Sequence, residues 1–220
     1  MKNEFPSVSE FLKTYKSPKK TQKEKKLFTS IESGKYNGKK LLLPNLSTTR
    51  STKSIVKACV FNVIRQDLRD KIFIEVFGGS ALMALEALSN FALKAYAIEL
   101  DFKAYKTALQ NAKIDENLEV INADSFEFLP KLLKNLNQEL ILYLDPPFDI
   151  RQGFDEIYEK VYKLLLNLKL EFVKIIIIEH NSKANMPTNI QNFIKTKVKK
   201  FGSTSLSFYE IEITNLKEFK

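Results

Sequence analysis

Residues 72–101 read IFIEVFGGSALMALEALSNFALKAYAIELD, and their pattern decides the fold. The apolar, β-branched run at 72–77 has the length and character of a buried strand. It meets Gly78-Gly79-Ser80, where glycine lets the backbone turn tightly. Residues 81–89 continue as an apolar helical run, and 94–98 form a second strand that ends in Glu99 and Asp101. Strand, turn, helix and strand in this order make a crossover unit, which joins parallel neighbours of one sheet.

Outward from this unit the alternation continues. Strand patterns fall at 118–121, 140–144 and 173–179, with helical patterns at 102–113, 125–136 and 154–168 between them. The end differs: 196–201, a Gly202-Ser203-Thr204 turn and 205–213 read as an antiparallel hairpin. Upstream, Ile55, Val56, Cys59, Val60, Val63 and Ile64 recur at helical spacing. Before them Gly34-Lys35-Tyr36-Asn37-Gly38-Lys39-Lys40 reads as a tight turn between two short strands, closed by Leu41-Leu42-Leu43-Pro44. The expectation is an α/β, Rossmann-like, mostly parallel seven-stranded sheet that ends in an antiparallel hairpin, with a small N-terminal hairpin and helix extension. This is the topology expected of class I methyltransferases. Residues 1–28 read as a weakly ordered Lys-, Ser- and Thr-rich arm with one short helix from Ser9. The division expected is a basic arm and β-hairpin over 1–50 and a methyltransferase domain over 51–220.

A chain of 220 residues, 44% of them hydrophobic, is long enough to bury a sizeable core. The single Cys59 excludes a disulfide framework and a multi-cysteine metal site, and His180 is the only histidine, so no metal is expected. No apolar run approaches the length of a membrane span, and the first forty residues do not resemble a signal peptide. A cytoplasmic monomer is the resulting expectation. Charge is unevenly placed: residues 1–57 hold fourteen basic and four acidic side chains, a balance of +10, while residues 58–220 balance to −1. Such asymmetry suits a polyanion, most often nucleic acid, although a solvated tail has the same composition.

Open α/β sheets bind ligands beyond the carboxyl ends of their strands, and four such ends carry chemistry here. At the first, Glu75-Val76-Phe77-Gly78-Gly79-Ser80 lacks the third glycine of the dinucleotide fingerprint, which argues against a dehydrogenase. It is closer to the acidic glycine loop that cradles the methionine part of S-adenosylmethionine. At the second, Glu99 suits a ribose diol, while Asp101 reads as the cap of the following helix. Asp124 and Ser125, at the third, are candidates for the adenine edge, though Asp before a helix is also a common cap. The fourth is Asp145-Pro146-Pro147-Phe148. Two prolines stiffen a turn and leave carbonyls without intrachain donors. Asp145 and the Pro146 carbonyl are placed to accept both protons of an exocyclic amine, with Phe148 stacked on its ring. The remaining features read as ordinary structure: Cys59 as core, Tyr158 and Tyr162 as packing, and Lys195, Lys197, Lys199 and Lys200 as a solvated edge or an RNA contact.

Assembled, these segments resemble the RsmD family, bacterial enzymes that methylate a guanine N2 in 16S ribosomal RNA. The markers are Gly34-Lys35-Tyr36-Asn37-Gly38-Lys39-Lys40-Leu41, Arg50-Ser51-Thr52 with Val60-Phe61-Asn62-Val63-Ile64, and Leu85-Glu86-Ala87-Leu88-Ser89 after the glycine loop. Asp145-Pro146-Pro147-Phe148 and Phe201-Gly202-Ser203-Thr204 complete them, so the resemblance spans roughly residues 31–215. It implies S-adenosylmethionine as cofactor, 16S rRNA or the assembling small subunit as partner, and Lys35, Lys39, Lys40, Arg50 and Lys53 as RNA contacts. Three of the departures from the pattern bear on function. Glu75 stands for an Asp and reaches further toward the methionine amino group; Ser51 stands for a Pro; and Ala81 stands for a Gly, where its methyl is expected to crowd the cofactor carboxylate. Two other readings share these residues: a non-catalytic RNA-binding or ribosome-assembly protein, and an amine methyltransferase acting on another nucleic acid or on protein.

Overall fold

The protein is described from a computed structural model that covers residues 26–44, 50–147 and 155–212; the side chains of residues 50–53 and 155 are outside the description. The N-terminal arm and its expected helix from Ser9 lie outside the described residues. The chain enters with strand β1 (Leu27–Ser30), a 3-10 turn at Gly34–Tyr36 and strand β2 (Lys40–Leu43), an antiparallel pair. Helix α1 (Arg50–Ile64) follows. Then come β3 (Ile72–Glu75), α2 (Leu82–Ser89), β4 (Lys94–Glu99), α3 (Phe102–Asn111), β5 (Leu118–Asn122), α4 (Ser125–Lys134), β6 (Leu140–Leu144), α5 (Asp155–Asn167) and β7 (Val173–Asn181). The chain closes through β8 (Asn189–Ile190), β9 (Phe193–Phe201) and β10 (Thr204–Ile211).

The sheet has the order β5-β4-β3-β6-β7-β10-β9-β8. Its first five strands are parallel and the last three antiparallel. The eighth strand is a difference from the expected seven. It is a two-residue segment, Asn189–Ile190, too short to show a period in sequence. The sheet order reverses between β3 and β6, which opens a crevice at the carboxyl ends of those two strands.

Alternation along the strands divides the core. Phe73, Tyr143, Ile177 and Phe208 project to one face, beneath α1, α2 and α3. Ile74, Leu142, Ile176 and Tyr209 project to the other, beneath α4 and α5. The β1–β2 hairpin packs on the first face, because Ile31 and Leu41 are buried in the same cluster as Val60, Leu85 and Leu88.

Polar anchors hold that hairpin as firmly as its apolar contacts. The Glu86 carboxylate, buried in α2, accepts from the Glu32 N–H (3.0 Å), the Ser33 N–H (2.9 Å) and the Ser33 hydroxyl (3.0 Å). Lys57 of α1, only 2% exposed, pairs with Glu86 at 3.1 Å and donates to the Ser30 carbonyl at 2.7 Å. The Ser89 hydroxyl donates to the Ser33 carbonyl and accepts from the Tyr36 N–H. Gly34 has a positive φ of 79°, and a Cβ there would lie 1.9 Å from the Ser89 carbonyl oxygen, so no other residue fits. The Gly34–Leu41 and Leu85–Ser89 motifs, about fifty residues apart in sequence, are therefore the two halves of one contact. On the other side of the hairpin, Asn111 of α3 exchanges hydrogen bonds with both backbone groups of Leu42 and donates to the Ser80 carbonyl. That one amide ties the hairpin to the glycine turn.

Candidate active site

Beyond β3 the chain turns through Phe77, Gly78 and Gly79 into α2. The Gly78 N–H donates to the Ile98 carbonyl at 2.6 Å, which pins the turn against β4. Gly79 takes a φ of 51°, and its N–H donates to Glu99 Oε2 at 2.6 Å. The second Glu99 oxygen accepts from the Asp101 N–H. Glu99 thus stands at the rim of the turn with its carboxylate fixed between two amides, at the end of β4 as expected. Asp101 caps α3, accepting from the Lys103 and Ala104 N–H groups.

Glu75, buried at the end of β3, accepts from the Ala84 N–H at 2.9 Å. It stabilises the first turn of α2, whose cap position Ala81 has no side chain to do so. Ala81 itself is left-handed, at φ 59°, and fully buried in the core beside α2. Its methyl therefore fills the core and does not line the crevice, contrary to the expectation that it would crowd the cofactor.

The crevice is walled by four groups of residues. The hairpin supplies Leu27, Thr29, Leu43 and Pro44; the helices supply Val56, Leu82 and Met83. Phe77, Gly78, Gly79 and Ser80 form its floor, and the strand ends supply Glu75, Tyr143, Asp145 and Glu179. The structure therefore brings Glu75, the glycine turn and Asp145 together, as the sequence predicts. Pro146 is buried and Pro147 exposed directly after Asp145. Phe148 lies outside the described residues.

Tyr143 and Glu179 are wall residues with polar chemistry to which the sequence pattern gives no role. Glu179, at the end of β7, accepts from the Tyr143 hydroxyl at 2.5 Å. Both are buried, and burial together with the Glu179 and Asp145 charges pushes the Tyr143 phenol well above its ordinary value. Tyr143 therefore remains a neutral donor. Three carboxylates, Glu75, Asp145 and Glu179, converge on a mostly apolar crevice that no Lys or Arg among the described residues lines. Such a site favours cations and hydrogen-bond donors over anions. A ligand with a sulfonium and an ammonium group fits this donor set.

Other expected residues have different neighbours. Asp124 caps α4 by accepting from the Phe126 N–H, and the Ser125 hydroxyl donates to the Val76 carbonyl. Neither lines the crevice; Ser125 is buried and joins α4 to the end of β3. Phe77 instead meets Phe126 edge to face, with ring centroids 5.8 Å apart. Lys35, Lys39 and Lys40 are exposed at the turn end of the hairpin, whereas Leu27, Leu43 and Pro44 at its open end reach the crevice. Lys35 is paired with Asp115 at 2.9 Å, and that contact raises its pKa above the ordinary lysine value. The side chains of Arg50 and Lys53 are outside the described residues.

The strand order, the reversal point and the acidic crevice beside a glycine turn define a class I methyltransferase fold. The chain belongs to the family described as Conserved hypothetical protein 95, the RsmD family, which matches residues 29–210. It is 30% identical to Ribosomal RNA small subunit methyltransferase D of Buchnera aphidicola subsp. Baizongia pistaciae, over 86% of this chain and 96% of that protein. Among solved structures it is similar to "Putative methyltransferase yhhF from Escherichia coli", with 27% identity, a TM-score of 0.65, and coverage of 84% of this chain and 98% of that one. It also shares the fold of "M. capricolum TrmK", solved with S-adenosyl-homocysteine, at 14% identity and a TM-score of 0.51, over 70% of this chain and 68% of that one.

Proposed function

We propose that the protein transfers a methyl group from S-adenosylmethionine to the exocyclic N2 amine of a guanine in 16S ribosomal RNA. The observation that carries this reading is the convergence of Asp145 with Glu75, Glu179 and the glycine turn in one crevice. The names and folds of the relatives support it. The cofactor supplies an already activated methyl group on a cationic sulfur. Glu75 and the turn at Gly78–Ser80 would hold its methionine part, and Glu99, at the rim of that turn, its ribose diol.

What remains for the chain is orientation. Asp145 and the Pro146 carbonyl accept the two protons of the amine, which turns its lone pair toward the methyl group. A guanine also carries an N1–H beside that amine. Glu179 sits one strand over from Asp145, since Leu144 pairs with Ile178, and its carboxylate receives the N1–H. Tyr143, donating to Glu179, keeps that carboxylate in position. Asp145 takes up the proton released as the new N–C bond forms, directly or through water. The three carboxylates also keep the crevice unattractive to phosphate, so the backbone of the RNA stays outside.

Replacing Asp145 by alanine tests the assignment. Methyl transfer to 16S rRNA should fall by at least a hundredfold while S-adenosyl-homocysteine binding, followed by calorimetry, changes less than threefold. Activity surviving at a tenth of the original would remove Asp145 from the reaction.

A further inference from the structure

The crevice accounts for one base, and an RNA strand needs a track for its phosphates. Beyond its short pairing with β8 at Phe193 and Ile194, β9 runs along the edge of the sheet, and this stretch supplies a candidate. In the cross-strand register Lys199 lies opposite Leu206, and Leu206 opposite Glu179. Lys197 lies opposite Phe208, and Phe208 opposite Ile177. Residues directly opposite share a face of the sheet, and Leu206, Phe208 and Ile177 are all buried on the crevice face. Lys197 and Lys199 therefore project on that face, toward α1, whereas Val198 and Lys200 project away. The Cys59 thiol of α1 agrees with this: burial raises its pKa, and Lys199 and Lys197 oppose that rise through their charge.

Two strand spacings separate Lys199 from Glu179, about 10 Å. That is close to one Debye length at 0.1 M salt, so a phosphate beside the bound base feels the Lys199 ammonium, and Lys197, two residues back along β9, would meet the next stretch of backbone. Neither α1 nor β9 contains an acidic residue. Among the described residues Lys197 and Lys199 form no ion pair, and Glu210 of β10 is turned to Thr196. This patch stands out because residues 58–220 as a whole balance to −1.

We propose that Lys197 and Lys199, with the adjoining face of α1, form a docking strip for the sugar-phosphate backbone of single-stranded RNA flanking the base in the crevice. The strip rests on the reading of the protein as an RNA methyltransferase. Its lysines are not those of the basic arm or of the hairpin turn. Charge on an edge strand also prevents sheets from pairing edge to edge, and a second copy of the chain is the competing occupant.

Full-length protein, titrated with a fluorescent 20-nucleotide single-stranded RNA at several salt concentrations, separates these. Each lysine–phosphate contact contributes about 0.7 to the salt slope on a single strand, so Lys197→Gln/Lys199→Gln should flatten the slope by about 1.4 and weaken binding about tenfold at 0.15 M salt. Lys200→Gln, on the opposite face of the same strand, should change affinity less than twofold. Equal small effects of both variants, or a double variant that self-associates in sedimentation while binding RNA normally, would overturn the strip in favour of edge protection. Methyl transfer by the unaltered protein is measured alongside. If it occurs while the double variant binds normally, only the strip fails; if it is absent while the slope changes as stated, only the methylation reading fails.

Discussion

Replacing Glu86 by leucine is expected to loosen the N-terminal hairpin from the sheet and to open one wall of the crevice. Glu86 is 1% exposed and holds two backbone N–H groups, one hydroxyl and the Lys57 ammonium. Its removal leaves Lys57 buried with only Glu32 at 3.4 Å and the Ser30 carbonyl as partners. Breaking a buried ion pair from one side costs about 3–5 kcal/mol. In a chain of this size each kcal/mol shifts the melting temperature by about 2–4 °C, so the expected fall is about 6–20 °C. Lys57→Met should cost less, because the Glu86 carboxylate keeps its three hydrogen bonds to the hairpin. The double variant should be more stable than the sum of the singles by about 2–3 kcal/mol, since it no longer buries an unpaired charge. Urea unfolding followed by circular dichroism measures all three. Strict additivity, or a cost below about 1 kcal/mol for Glu86→Leu, would refute the network as the hairpin's anchor.

Two further substitutions probe the crevice. Ala81→Gly should leave S-adenosyl-homocysteine affinity within twofold, because the methyl it removes is in the core; a tenfold gain by calorimetry would restore the view that the methyl crowds the cofactor. Glu179→Leu should erode base discrimination. Against RNA carrying 2-aminopurine at the target, which keeps the amine and lacks the N1–H, the preference for guanine should fall about tenfold, the worth of one buried hydrogen bond to a charged group. An unchanged preference would assign guanine selection elsewhere.

Most of the architecture was legible because its signals are local. A β-branched run, a glycine turn and a helical repeat announce one crossover unit, and repetition of the unit fixes a parallel sheet. The strand ends followed from the same rule, which is why Glu75, Gly79, Glu99 and Asp145 were found. Partnerships between distant residues were harder to read. Glu86 stands out in sequence as part of a family marker, yet its acceptors' partners are backbone groups 53 and 54 residues away. Ser125 has the right place for a ligand contact, but its hydroxyl is given to the Val76 carbonyl. Glu179 read as the last residue of a strand, and only the pairing of β6 with β7 sets it beside Asp145. Ala81 could be recognised as a departure from glycine, whereas the burial of its methyl in the core shows only in the packed fold.

The measurement closest to the central claim is transfer itself. The purified protein is incubated with isotopically labelled S-adenosylmethionine and unmodified 16S rRNA, free and in small subunits, and the digested nucleosides are resolved by mass spectrometry. The account predicts label in N2-methylguanosine at a defined position. Label on any other atom, or none with either substrate while the cofactor is bound, would contradict it.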